Sequence, residues 1–222
     1  MLKKYQPIII MITVIIVLFT IVYISIPDPR ITITSDKFIK ALITDTDPEK
    51  YCAGEVLFKV KTREITPSEV VSVHSSVIDS TRKYARVYIV AEMKLKDGVD
   101  VGFYEAELIK EDEWEVYALR ETLPKINSFS YPTKPDMGSI YEKSFSKITQ
   151  GDASPLAGPA RTSYKPQVGL KKEITNLQTE ILYNNKLVIA KHSYIYDSRP
   201  VKSIVHYYMT SDGYKIVAIQ SL

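Results

Sequence analysis

The sequence predicts an α+β protein: an N-terminal transmembrane helix followed by two related domains, each a helix plus a curved antiparallel sheet. Three observations predict it. Residues 8–26 read IIIMITVIIVLFTIVYISI, 19 residues without a charge. Residues 87–122 align without a gap on 187–222, an offset of 100. Upstream of each aligned stretch, a short helical pattern is followed by an Asp, a Pro three residues later and an Ala-Gly pair, in the same order.

The apolar run is long enough to cross a bilayer as a helix, at about 28 Å for a rise of 1.5 Å per residue. Lys3 and Lys4 precede it, and Asp28 and Arg30 cancel on the far side. The positive-inside rule then places the N-terminus in the cytoplasm and the rest outside, as a single-pass signal anchor in the cell membrane. The exit, Val22-Tyr23-Ile24-Ser25-Ile26-Pro27, has bulky residues where a signal-peptidase site needs small ones. The expected organisation is residues 1–29 as cytoplasmic stub and membrane helix, 30–122 as a membrane-proximal domain, 123–138 as a linker and 139–222 as a distal domain. The linker is marked by Pro124, Pro132 and Pro135.

The repeat rests on residue types in order, because only five of its 36 positions are identical. Ile89 meets Ile189, Asp97 meets Asp197, Trp114 meets Tyr214, Val116 meets Ile216 and Ala118 meets Ala218. Each copy reads as a strand (87–96 or 187–196), a turn, a second strand (101–110 or 201–210), a second turn and a last strand (114–120 or 214–220). Short alternating runs joined by Asp/Gly turns are the signature of an antiparallel meander. Val87, Ile89, Ala91, Met93 and Leu95 alternate with Tyr88, Val90, Glu92, Lys94 and Lys96, which predicts one buried and one wetter face. Another strand is expected near 68–79 and near 172–183. Ser35 is the expected N-cap of a helix over 36–43, and 141–148 the matching helix. The breaks are Asp45-Thr46-Asp47-Pro48 with Ala53-Gly54, and Asp152-Ala153-Ser154-Pro155 with Ala157-Gly158.

A helix-first segment with a curved sheet, closed by the strand Trp114-Glu115-Val116-Tyr117-Ala118-Leu119 and its echo Tyr214-Lys215-Ile216-Val217-Ala218-Ile219, resembles the nuclear transport factor 2-like fold, a cone-shaped α+β domain. Tandem domains of this kind behind one membrane helix resemble the TcpC-type proteins of Gram-positive conjugative elements and the single-helix inner-membrane subunits of type IV secretion systems. The resemblance covers most of 35–222. It implies a non-catalytic scaffold subunit of a bacterial envelope assembly for DNA transfer. Its implied partners are the membrane, other envelope or secretion-system proteins, and further copies of itself. The alternative is an extracytoplasmic binding module holding a small molecule, lipid or peptide in the cone.

Charge divides the halves. Residues 30–124 hold 14 Lys/Arg against 18 Asp/Glu, and 125–222 hold 13 against 7, so the net charges are −4 and +6. Acidic-to-basic contact favours head-to-tail association. Lys165, Lys171, Lys172 and Lys186 are the candidate basic face. The distal basic residues are scattered rather than clustered, so tight nucleic-acid binding is not expected.

Sites for chemistry are sparse. Cys52 is the only cysteine, which rules out an internal disulfide. His74, His192 and His206 lack metal-binding spacing, and no metal or cofactor is expected. His192 and His206 would approach one another if the Asp197 turn closes a hairpin. Ser80 with Lys83 and Ser144 with Lys147 form S-x-x-K patterns, without the partner motifs of the penicillin-binding transpeptidases. Tyr194, Tyr196, His206 and Tyr208 are the candidate cavity-lining residues. Glu105 and Glu107, with Tyr207 among the neighbouring tyrosines, could imitate the carboxylate–tyrosine sites of cone-fold isomerases. Polar residues on a wetted sheet face account for them equally, and no enzyme is expected.

Overall fold

The computed structural model describes residues 11, 13–15, 26–62, 66–96, 98–125, 135–166 and 173–222. Helix α1 (Pro29–Thr44), a 3-10 turn (Pro48–Tyr51) and helix α2 (Gly54–Thr62) precede strands β1 (Glu69–Ser80), β2 (Tyr84–Leu95), β3 (Gly98–Lys110) and β4 (Trp114–Glu121). Helices α3 (Met137–Thr149) and α4 (Gly158–Thr162) then precede β5 (Thr175–Asn184), β6 (Leu187–Tyr196), β7 (Arg199–Thr210) and β8 (Gly213–Ser221). Each set of four strands is an antiparallel sheet in sequence order.

The fold class expected from sequence needs correction at its first element. Most of 8–26 lies outside the described residues. Among the described residues, no helix is long and apolar enough to cross a membrane. The single-pass anchor, the membrane partner and the cell-membrane location drawn from it are therefore withdrawn. The helix that follows is amphipathic and serves a protein core: Ile31, Phe38 and Ile39 are fully buried against the first sheet. It also starts seven residues before the expected Asp36. Asp28 is its N-cap, accepting from the Arg30 amide, and Pro29 sits at the first helical position, where a missing N–H costs nothing. Ser35, the expected cap, is buried in mid-helix and donates to the Ile31 carbonyl. Asp136 caps α3 through the Ser139 amide.

In both halves the helices cover one sheet face. On the first sheet that face presents Ala85, Val87, Ile89, Ala91, Ala106, Leu108 and Val116 to α1 and α2. On the second it presents Val188, Ala190, Tyr194, Val205, Tyr207 and Ile216 to α3 and the loop around Leu156. The other faces pack on one another. Tyr88, Val90, Val101 and Phe103 of the first sheet meet Leu187, Tyr208, Val217 and Ala157 of the second half, with Phe103 edge-on to Tyr208 at 5.1 Å. The face of β2 expected to be wet is therefore an internal boundary over Tyr88, Val90 and Glu92; only its end, Lys94 and Lys96, is exposed.

The strand registers repeat, but not at one offset. Val116 bridges Cys52 as Ile216 bridges Leu156, and Ala53 and Ala157 donate to those strands in the same way. Gly54 and Gly158 follow, both with positive φ, +59° and +52°. The break at Leu108–Val116 recurs at Tyr207–Ile216, and the one at Val77/Asp79 recurs at Ile181/Tyr183. Matching these irregularities pairs Val87 with Ala190, Ile89 with His192 and Leu108 with Tyr207, while Trp114 still matches Tyr214. The uniform offset of 100 thus holds on the last strand and fails on the two before it. A slip by an odd number of residues exchanges the faces of a strand. Ile189, aligned by sequence with core Ile89, lies on the opposite face, against the inter-sheet cluster.

Candidate functional site, a buried tyrosine–histidine cluster

The distal core is built differently from the proximal one. Where β2 supplies Ile89 and Ala91, β6 supplies His192 and Tyr194; where β3 supplies Leu108, β7 supplies Tyr207. The period of two along β6 points His192, Tyr194 and Tyr196 to the helix side. Helix α3 lays Tyr141 and Phe145, one turn apart, over them. The Tyr141 ring stacks on His192 at 4.2 Å, and Phe145 meets Tyr196 edge-on at 5.5 Å.

Both ring nitrogens of His192 and the hydroxyls of Tyr141, Tyr194 and Tyr207 are engaged. His192 Nε2 shares a hydrogen bond with the Tyr207 hydroxyl at 2.7 Å, and Nδ1 one with Thr179 Oγ1 at 2.8 Å. The Tyr141 hydroxyl donates to that of Tyr194 at 2.9 Å. Ser203 Oγ is buried nearby without a hydrogen bond of good geometry. His192 and Tyr207 are completely buried. Burial pushes the His192 pKa down to about 4, so the ring is neutral near pH 7. Burial likewise raises Tyr141 and Tyr207, which stay protonated. A general acid or base works best near its own pKa, and none of these three groups sits near neutrality.

The residues singled out by sequence divide between locations. Tyr194 and Tyr196 belong to this cluster. His206 and Tyr208 point from β7 to the other face; Tyr208 is in the inter-sheet boundary, and the His206 pKa is lowered by burial. His192 and His206 are thus on opposite faces, since His192 pairs with Ser203 and His206 with Ile189. Glu105 lies across from Tyr88 on the helix-free face, held by Arg120 at 2.7 Å and Lys125 at 3.1 Å; the Arg120 bond is the main cause of its lowered pKa. Lys165 is exposed beside a groove of about 480 Å³ formed with Ile148, Leu156, Tyr164 and Ile219. Lys186 is turned inward, over the Tyr208 ring at 5.1 Å and 3.5 Å from Glu92. Lys171 and Lys172 lie outside the described residues. Ser80 and Lys83 flank a hairpin turn rather than a helix, and Lys147 pairs with Asp152 at 3.8 Å. Among the described residues, no group of three or more His, Cys, Asp or Glu could hold a metal ion.

Sequence reasoning missed Tyr141, Phe145 and Thr179. The available signal was the alternation of His192, Tyr194 and Tyr196, aromatic at every second position of one strand.

No family model matches the chain, and no curated protein matches it. The chain is similar to a solved protein of plasmid conjugation. That structure is described as an "Ntf2 like protein involved in plasmid conjugation", at 13% identity and a TM-score of 0.36, with 86% of this chain and 95% of that chain covered.

Proposed function

We propose that this protein is a non-catalytic structural subunit of a conjugative, type IV secretion-like DNA-transfer assembly, in which it binds other proteins. The observation that carries the reading is the closed distal core. Its histidine has both ring nitrogens engaged and no exposure, so substrate has no access to it. The boundary between the sheets supports the same reading, because Tyr88, Val90, Val101 and Phe103 pack on Leu187, Tyr208 and Val217 and so join the two halves. The DNA-transfer setting is the one that the tandem architecture resembles. Plasmid transfer from a donor lacking the protein, complemented by variants, tests the proposal. His192→Phe and Ser144→Ala should restore transfer, whereas loss of transfer by a folded His192→Phe protein would replace the scaffold with a pocket enzyme.

A second reading has one observation in its favour. The distal core is aromatic and polar at positions where the proximal core is aliphatic, a specialisation that a small aromatic or amphipathic ligand would use. Opening of α3 would be needed to admit it. A ligand-dependent rise in melting temperature that His192→Phe removes would favour this reading.

A further inference from the structure

The contact between the two sheets is not symmetric. The distal half contributes Leu187 and Tyr208, a cross-strand pair, with Val217 beside them; the proximal half contributes Tyr88, Val90, Val101 and Phe103. Matching the registers, the proximal counterparts of Leu187, Tyr208 and Val217 are Tyr84, Ile109 and Tyr117. The proximal sheet therefore carries its own version of the docking patch. Tyr84 and Ile109 are again a direct cross-strand pair. Tyr117 is 47% exposed, and Phe58, one turn along α2 from the Gly54 that Tyr117 overlies, is 69% exposed.

The complementary surface has a counterpart too. Tyr88, Val90, Val101 and Phe103 correspond to Lys191, Ser193, Pro200 and Lys202, with Ile195 in the place of Glu92. Lys202 and Pro200 are exposed, Ile195 is 36% exposed, and Lys191 is held only loosely by Glu180 at 3.7 Å. This face is basic with an aliphatic centre. The proximal patch is aromatic, with Glu115 opposite Ile109 and Glu107 opposite Arg86 on the same face. Lysines over aromatic rings already occur at the existing boundary, with Lys186 on Tyr208 and Lys125 on Tyr88.

We infer that the patch Tyr84–Ile109–Tyr117 docks on the Lys191–Lys202 face of a second copy of this chain, repeating between molecules the contact made within one. Such a contact is heterologous: each molecule offers one surface and accepts on another, so copies add head to tail. The inference rests on the scaffold reading and names its self-contact.

Sedimentation velocity on the full chain over a range of concentrations tests it. The wild-type protein should grow past dimers. Tyr117→Lys should weaken association by about thirtyfold or more, as expected for a central aromatic anchor, and Lys191→Glu with Lys202→Glu should do the same. Each variant keeps one working surface, so an equimolar mixture of the two should form dimers and stop there. Near-ultraviolet circular dichroism checks folding; should Tyr117→Lys unfold, Tyr117→Ser takes its place. A wild-type chain that stays monomeric overturns the inference, as does association that survives both variants or a mixture that forms no dimer. If association persists in both variants while plasmid transfer needs the protein, the contact is wrong and the scaffold stands. If both variants lose association yet transfer proceeds normally, the contact stands and the scaffold works through its other protein partners; only loss of transfer by a folded His192→Phe protein removes the scaffold reading itself.

Discussion

Glu92 of the proximal sheet reaches Lys186 of the distal half at 3.5 Å, and its second oxygen accepts the Ser211 amide at 3.1 Å. The Glu92 side chain is 6% exposed and that of Lys186 is 21%. Removing the carboxylate leaves a mostly buried amine and an amide unpaired. Glu92→Ala should cost roughly 2–3 kcal/mol of unfolding free energy, read from urea melts. It should also loosen the halves from one another, so tryptophan fluorescence, which reports Trp114 alone, should separate from far-ultraviolet circular dichroism. Coincident, unshifted transitions would contradict this.

His192 predicts a pH dependence. Its folded pKa is about 4 against 6.5 unfolded. Above pH 6.5 both states are neutral there and no penalty exists. Between 6.5 and 4 the unfolded chain takes up a proton that the folded one refuses, so stability falls by up to about 3 kcal/mol as pH drops. His206, also lowered, adds in the same direction. Unfolding free energies of His192→Phe should show a shallower slope across this window than wild type.

The two left-handed glycines should respond unequally. A methyl at Gly158 would lie 2.6 Å from the Val101 carbonyl oxygen, a backbone atom of the facing sheet. At Gly54 it would meet the Tyr117 ring at 2.5 Å, and that ring is half exposed and can swing aside. Gly54→Ala should cost about 1–2 kcal/mol, mostly for the positive φ, and Gly158→Ala roughly 2–4 kcal/mol. Equal midpoints in thermal melts would argue against the tight approach.

Asp28 ties the start of α1 to the first sheet. It accepts from the Arg30 amide, which it caps, and from Trp114 Nε1 at 3.0 Å. Chiefly its bond to the Arg30 side chain holds its pKa well below the usual range. Stability from this carboxylate is present above its unfolded pKa, near 3.8, and is lost as pH falls through the lower folded value. Asp28→Ala should cost about 1–2 kcal/mol at pH 7, and Trp114→Phe, which keeps the cap, about 1 kcal/mol. Urea melts of the pair order the two effects.

Local chemistry made much of this legible. The Asp-Gly and Asp-Ser turns, the Ala-Gly pairs and the alternation of the strands are determined by neighbours in the chain, and sequence reasoning placed most strand ends within three residues. What escaped depends on partners far away. Tyr88, Val90 and Glu92 look like a solvent face until Leu187, Tyr208 and Lys186 cover them. Ser35 looks like a cap until Asp28, eleven residues before Ile39, captures Trp114 across the sheet. The histidines look adjacent when the turn is read over 197–200; the hairpin closes at the Tyr196–Arg199 pair instead, which moves the register by two and sets His192 opposite Ser203, three residues from His206. The apolar run at 8–26 was judged on its length, its flanking charges and its exit, all local features, and the first helix of the described region past it owes its apolar residues to a protein core.

The paired irregularities define a ruler for the central hairpin. From the Ala85–Leu108 pair to the tip at Leu95–Gly98 there are eleven rungs, both ends counted; from the equivalent Val188–Tyr207 pair to the tip at Tyr196–Arg199 there are nine. The two hairpins differ by whole rungs, two residues from each arm, while inward and outward side chains keep their assignments below. This ladder can therefore be telescoped at its end without disturbing its base, provided both arms change together. An epitope grafted there in matched pairs should be displayed at a chosen height, whereas a single added residue on one arm would turn that arm inside out.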